Sequence, residues 1–123
     1  MEILRYRAFA TEQGGGNPAG VVLDAAGVPP AQMRQVAAEV GYSETAFVTP
    51  IREHEYQVRY FSPEAEVDFC GHATVATAVA IAETTSSAAN LLMRTNAGPI
   101  EVSIRDTKAG LAATLTSVPP KVA

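Results

Sequence analysis

The hydrophobic and polar positions of this 123-residue chain change period several times, and one stretch has no polar face at all. Residues 73–82 consist of small or apolar side chains and two threonines, without a charge. Alanine-rich composition favours a helix, and a helix without a polar face has to be surrounded by protein. About ten residues cannot cross a bilayer. The pattern therefore predicts a buried central helix that begins near Cys70, Gly71 and His72.

A second helix and several strands flank this stretch. Apolar residues at positions 33, 36, 37 and 40 have helical spacing and stand between Pro30 and Gly41, which predicts an amphipathic helix over residues 31–40. Segments typical of strands are residues 3–9, 19–23, 42–50, 55–61, 90–95, 100–105 and 111–116. Residues 62–66 are predicted to form a turn. This order indicates one α+β domain over residues 1–123, whose sheet curls around the central helix like a half-barrel.

Composition narrows the class of protein. The formal net charge of −4 and the pI near 5.1 argue against nucleic acid or an anionic membrane as a partner. A single cysteine excludes an internal disulfide, and no apolar stretch is long enough to span a membrane. The N-terminus lacks the apolar core of a signal peptide. We expect a cytoplasmic protein.

The start of the central helix carries the first candidate chemistry. Unpaired backbone N–H groups at a helix start favour an anion, and Cys70 and His72 flank Gly71 there. A thiol at a helix N-terminus tends to have a lowered pKa, which suits a nucleophile or an acid/base group. The alternative is that Cys70 packs as a small hydrophobic residue. With one cysteine and two histidines in the chain, we expect no metal site.

Two further positions are candidates with alternatives left open. Glu44 stands between a helix stop and an apolar strand, a placement that suits a general acid or base but also a solvent-facing residue at a strand end. Asn17 follows three glycines and could present its amide to a ligand or form a turn. No Gly-Lys-Ser/Thr follows the glycines, which argues against a phosphate-binding loop.

Several dispersed segments together resemble the PhzF family (PhzC/PhzF-like, phenazine biosynthesis) within the diaminopimelate epimerase-like fold. These segments, in the order expected for that family, are Ala8-Phe9, Gly16-Asn17-Pro18-Ala19-Gly20-Val21-Val22, Gly41-Tyr42-Ser43-Glu44-Thr45-Ala46-Phe47-Val48, Val58-Arg59-Tyr60-Phe61-Ser62-Pro63-Glu64, Val67-Asp68-Phe69-Cys70-Gly71-His72-Ala73-Thr74 and Leu115-Thr116-Ser117-Val118-Pro119-Pro120. The resemblance implies a lobe in which a strongly curved mixed sheet surrounds a central helix.

The resemblance also implies roles for individual residues. Glu44 matches the family's general acid/base, and Cys70 stands where related racemases and epimerases place one of two catalytic thiols. Asn17 matches a position that lines the cleft. The helix start, which would bind the substrate, comprises Gly71, His72, Ala73 and Thr74. The implied activity is that of an isomerase or epimerase that needs no cofactor and moves a carbon-bound proton on a small carboxylate-bearing, amino-acid-like metabolite.

The match covers only the first of the two lobes that family members usually contain, and the active site of such proteins lies between the lobes. We therefore expect a homodimer, or a separate second lobe, to complete the cleft. The alternative function is a non-catalytic lobe that binds a small molecule or assembles with a separate partner. In both cases the second lobe is expected to be absent from residues 1–123.

Overall fold

A computed structural model describes residues 3–7, 18–42, 44–85, 90–107 and 110–117. The strands within these ranges are β1 Leu4–Arg7, β2 Pro18–Val22, β3 Glu44–Arg52, β4 Glu55–Phe61, β5 Glu66–Val67, β6 Leu91–Thr95, β7 Gly98–Thr107 and β8 Gly110–Ser117, and the helices are α1 Pro30–Val40 and α2 Gly71–Thr85. The predicted α+β class is confirmed. The central helix begins two residues earlier and ends three residues later than the uncharged stretch, because polar residues at both ends extend it.

The strands form one mixed sheet in the order β1-β2-β3-β4-β6-β7-β8, with β5 paired to β4. Two neighbouring pairs, β2 with β3 and β4 with β6, are parallel, and the other pairs are antiparallel. A parallel pair needs a long crossover connection, and each helix lies within one of these two crossovers. The two helices are therefore where the topology requires them.

Helix α2 lies against the concave face of this sheet. It contacts β1, β2 and β3 near one end of the strand order and β7 and β8 at the other end. Most of its alanines are fully buried, and small side chains let strands approach a helix closely on several sides. These contacts confirm the predicted curved sheet around a central apolar helix. No helix among the described residues is long and apolar enough to cross a membrane.

Helix α1 packs on the opposite face of the sheet. Met33 and Ala37 of this helix are buried in a cluster with Val22, Phe47 and Phe61. The helix ends at Gly41, whose left-handed backbone (φ 79°) lets its N–H donate to the Ala37 carbonyl at 3.0 Å. This sharp end turns the chain back toward the sheet three residues before β3 begins.

The approach to α2 differs from the prediction. Residues 62–66 were predicted to form a turn only, but Glu66 begins the two-residue strand β5, which pairs with β4. Arg59 holds this strand by donating to both carboxylate oxygens of Glu66, at 2.8 and 2.7 Å. The turn itself is confirmed, because the Ser62 N–H donates to the Ala65 carbonyl at 2.8 Å. The strand was missed because two residues have no periodicity to detect. This paired segment leads directly to the start of α2.

Candidate active site

The alternation of side chains along β3 directs Glu44 toward helix α2. Ala46 and Val48 belong to the core cluster that contains the alanines of α2, whereas Phe47 belongs to the cluster beneath α1. Successive residues of a strand face opposite sides of the sheet, so Glu44 shares the α2 side with Ala46 and Val48. Because Glu44 is the first residue of β3, its carboxylate lies at the rim of the core.

Cys70 is the residue that caps the start of helix α2. Its carbonyl oxygen accepts the backbone N–H of Thr74 at 3.0 Å, which is the first hydrogen bond of the helix. The backbone N–H groups of His72 and Ala73 are directed at its sulfur, as expected for a side chain at this capping position. The donors predicted to bind an anion therefore surround the Cys70 sulfur. A side chain at Gly71 would meet no heavy atom within 4 Å of its Cβ, so the space beside the helix start is open.

Three predicted site residues, Glu44, Cys70 and His72, converge at this point. Glu44 Oε1 lies 3.6 Å from His72 Nε2, and Cys70 Sγ lies 3.2 Å from His72 Nδ1. One carboxylate oxygen, the sulfur and one ring nitrogen all lie within 4.8 Å of one another. The side chains of Glu44 and His72 are 18% and 22% exposed, so the cluster is reachable from solvent while mostly enclosed by protein. The structure thus places a carboxylate, a thiol and an imidazole in mutual contact at one end of α2.

The thiol in this cluster has a raised pKa, contrary to the lowering expected at a helix start. Burial is the largest cause, and the nearby Glu44 carboxylate acts in the same direction because a second negative charge disfavours the thiolate. The N–H groups of Ala73 and His72 act in the opposite direction. The net result raises the pKa of Cys70 from 9.0 to about 11. The Cys70 side chain is consequently a protonated thiol at neutral pH.

A hydrogen-bond chain that the sequence analysis did not identify fixes the helix start from inside the core. The Thr74 hydroxyl donates to the Cys70 carbonyl at 2.8 Å, and Tyr60 donates its own hydroxyl to Thr74 Oγ1 at 2.5 Å. Tyr60 and Thr74 are fully buried, and burial raises the pKa of Tyr60. Tyr60 shares the inner face of β4 with Val58. The alternation of side chains along this strand was the sequence signal that could have placed Tyr60 in the core. Thr74, predicted as a substrate-binding residue, directs both its N–H and its hydroxyl to Cys70 and so supports the site from behind.

The remaining predicted positions divide between the described and undescribed parts of the chain. Asn17 lies outside the described residues. Ala73 is buried and can act only through its backbone, and Gly71 offers a backbone N–H at the first position of the helix. The other histidine, His54, is exposed in the turn between β3 and β4.

Comparison with known proteins gives consistent matches. Residues 6–122 match the family model of the PhzC-PhzF proteins, described as phenazine biosynthesis-like protein. The chain is 37% identical over 122 residues to the uncharacterized isomerase YfhB of Bacillus subtilis, a match that covers 98% of this chain and 42% of that protein. It is 44% identical over 75 residues to the uncharacterized isomerase YddE of Escherichia coli, covering 61% of this chain and 25% of that protein.

Solved structures show the same similarity. A PhzF-family phenazine biosynthesis protein from Bacillus anthracis superposes with a TM-score of 0.81 at 36% identity, covering 94% of this chain and 40% of that one. A predicted epimerase from Pseudomonas aeruginosa has a TM-score of 0.76 at 20% identity over 81% of this chain and 36% of that one, which shows a shared fold. The chain therefore spans less than half the length of these relatives.

Proposed function

Because this chain belongs to the PhzC-PhzF family of phenazine biosynthesis-like proteins, we propose that it is one lobe of an isomerase or epimerase that needs no cofactor. The proposed reaction moves a carbon-bound proton on a small carboxylate-bearing, amino-acid-like metabolite. The observation that carries this proposal is the convergence of Glu44, Cys70 and His72 within 4.8 Å at the start of α2. The relatives named as isomerases support the reaction class.

In this proposal Glu44 is the general base. Its carboxylate takes the proton from carbon, the electron pair of that bond moves toward the substrate carboxyl group, and the same carboxyl group of Glu44 returns the proton. His72, 3.6 Å from Glu44, orients the base. The N–H group of Gly71, at the first position of the helix, stabilises the negative charge that develops on the substrate. Asn17, which matches a position that lines the cleft in the family, would contribute a further contact to the substrate.

The spacing of the cluster favours proton transfer on one face of the substrate. An acid and a base on opposite faces of a carbon atom each stand about 3 Å from it, so their reacting atoms are about 6 Å apart. The reacting atoms of Glu44 and Cys70 lie within 4.8 Å of each other, which leaves no room for a carbon atom between them. Both groups therefore address the same face, and Cys70, as a protonated thiol, is a proton donor beside the base.

Inversion at carbon would need an acid/base group from outside this chain. A second copy related by a twofold axis, or a separate second lobe, would bring such a group to the opposite face. We propose a homodimer as the simpler of the two arrangements. Light scattering on a sizing column tests it directly: a dimer has about twice the 12.9 kDa mass of the chain, and a stable monomer would refute the dimer.

Solvent exchange tests the reaction itself. The chain is incubated in D₂O with a panel of amino acids and unsaturated carboxylic acids, and deuterium entering carbon positions is followed by NMR. Replacing Glu44 with glutamine should lower the exchange rate by about 10² to 10⁴, the usual contribution of a positioned base. The matched control is Glu39→Gln, because Glu39 is exposed on α1 on the other face of the sheet.

Three results distinguish the candidate functions. Exchange that depends on Glu44 and not on Glu39 supports the isomerase. Exchange that persists unchanged in Glu44→Gln refutes the assigned mechanism. Binding of a carboxylate without any exchange favours the alternative, a non-catalytic lobe that binds a small molecule or assembles with a separate partner.

A further inference from the structure

The cluster at the start of α2 contains three different kinds of metal ligand. Cys70 offers a sulfur, His72 a ring nitrogen and Glu44 a carboxylate oxygen, all within 4.8 Å of one another. Soft and borderline donors in this combination suit Zn²⁺, whereas Mg²⁺ and Ca²⁺ prefer sites made of oxygen alone. The sequence suggested no such site, because Glu44 stands 26 residues before Cys70 and brings the third donor only through folding.

The three donors lie close enough to share one ion after their side chains rotate. Zinc–ligand bonds of about 2.0 to 2.3 Å at tetrahedral angles place neighbouring donor atoms about 3.4 to 3.6 Å apart. His72 Nε2 lies 3.6 Å from Glu44 Oε1 and 3.7 Å from Cys70 Sγ, but the sulfur lies closer to Nδ1, at 3.2 Å. The imidazole ring therefore has to turn before one of its nitrogens faces both other donors. The sulfur and the carboxylate oxygen, which lie within 4.8 Å, would have to approach by at most about 1.2 Å. Rotation of the half-buried Glu44 side chain can supply this movement.

The surroundings also fit a three-ligand site. Helix α2 fixes Cys70 and His72 relative to each other, and the Thr74 hydroxyl holds the Cys70 carbonyl in place. The side chains of Glu44 and His72 are partly exposed, so a water molecule or a substrate carboxylate can reach the cluster as the fourth ligand.

We propose that Glu44, Cys70 and His72 bind Zn²⁺ with one open coordination position, and that bound Zn²⁺ inhibits proton transfer by occupying Glu44. Binding converts the thiol to a zinc-bound thiolate and releases one proton to solvent, without any redox change. The inhibition rests on the proposed function, whereas the binding site does not. A carboxylate that coordinates a cation cannot at the same time accept a proton from carbon.

Cobalt titration tests the binding without any substrate. The untagged chain is first treated with EDTA and dialysed, and Co²⁺ is then added while the absorption spectrum is recorded. Tetrahedral coordination by a thiolate should produce a sulfur-to-cobalt charge-transfer band, and Zn²⁺ should abolish this band by displacement. Cys70→Ser should lose the band. Glu44→Gln and His72→Gln should each raise the dissociation constant about tenfold or more.

His54→Gln is the matched control, since His54 is the other histidine of the chain and lies in an exposed turn. An unchanged titration in this variant supports the assignment, and an effect equal to that of His72→Gln would overturn it. A second measurement uses the wild-type protein alone. Zn²⁺ should protect the single cysteine from alkylation by iodoacetamide, and equal alkylation rates with and without Zn²⁺ would refute the site even if a variant fails to fold.

Deuterium exchange with and without Zn²⁺ separates this inference from the proposed function. If EDTA-treated protein exchanges deuterium and this exchange is lost as added Zn²⁺ saturates the protein, both the isomerase and the inhibitory metal site are supported. If the cobalt band appears but EDTA-treated protein shows no exchange, the metal site is supported and the claim that Zn²⁺ inhibits proton transfer is refuted. Exchange in EDTA without any cobalt band refutes the metal site and leaves the isomerase proposal intact.

Discussion

Removing the charge of Glu44 should make the Cys70 thiol more reactive. The carboxylate oxygen and the sulfur lie within 4.8 Å of each other, and the carboxylate is one cause of the raised thiol pKa. At the upper limit of 4.8 Å, two unit charges repel by about 0.9 kcal/mol at a dielectric constant of 80 and by about 3.5 kcal/mol at 20, or about 0.6 to 2.5 pKa units. Since both groups are half-buried, solvent screening favours the lower part of this range.

We therefore expect Glu44→Gln to lower the thiol pKa from about 11 by about one unit. Near neutral pH the thiolate fraction then rises about tenfold, while the lower basicity of the thiolate reduces its intrinsic nucleophilicity about threefold, so the alkylation rate rises about threefold. Iodoacetamide in chelator-treated protein measures this rate cleanly, because the chain has one cysteine. The control Glu39→Gln should leave the rate unchanged.

Two results would contradict this reasoning. An alkylation rate in Glu44→Gln equal to that of the wild type would show that the carboxylate does not act on the thiol. A thiol pKa in that variant at the ordinary value of 9.0 would show that the carboxylate accounts for the whole elevation, although burial is its largest cause. Circular dichroism at each pH verifies that the protein stays folded during the measurement.

Three further predictions concern stability. Tyr60→Phe and Thr74→Val should each lower the free energy of unfolding by about 1 kcal/mol. A double-mutant cycle in urea should show a coupling energy of about 0.5 kcal/mol or more, and additive effects would refute the hydrogen bond between the two side chains. The raised pKa of Cys70 contributes stability that is fully present below pH 9 and is lost as the pH rises toward 11. Over that window the free energy of unfolding of the wild type should fall by about 1 to 2 kcal/mol relative to that of Cys70→Ser. Parallel pH profiles of the two proteins would contradict this. Ala78→Leu should lower the free energy of unfolding by about 1 to 3 kcal/mol because Ala78 is fully buried. The control Ala38→Leu, on the exposed side of α1, should leave it nearly unchanged. An equally small effect of Ala78→Leu would show that the sheet does not enclose α2 closely.

The pattern of the sequence predicted most of the fold because its elements have clear periods. The uncharged stretch around Ala76 could only be a helix enclosed by protein, and α2 lies against strands near both ends of the sheet order. The apolar spacing that ends at Gly41 likewise predicted α1 and its end. Strand β5 was missed because two residues carry no period. Its pairing depends on Arg59 and Glu66, which contact each other only in the folded chain.

The site was harder to predict because its electrostatics depend on contacts between distant residues. The position of Cys70 at a helix start was correctly read, but the expected lowering of its pKa was wrong. Burial of the thiol and the approach of Glu44 outweigh the N–H groups of the helix, and neither is visible from local spacing. The same holds for Tyr60, whose hydroxyl reaches the helix start only because β4 lies beside it. The part played by Asn17 stays a prediction.

The way in which the fold buries α2 also determines where the site lies. A helix with no polar face needs cover along its length, and nine of the fifteen residues of α2 are buried, all of them between Ala73 and Ala82. Only the ends of such a helix can offer polar groups to a ligand, and its first turn is the end with free N–H donors. The sheet then adds Glu44 at the rim of the same end. Because all these groups approach from one side, the proposed proton transfer uses one face of the substrate, and inversion at carbon would need a group from a second lobe or a second copy.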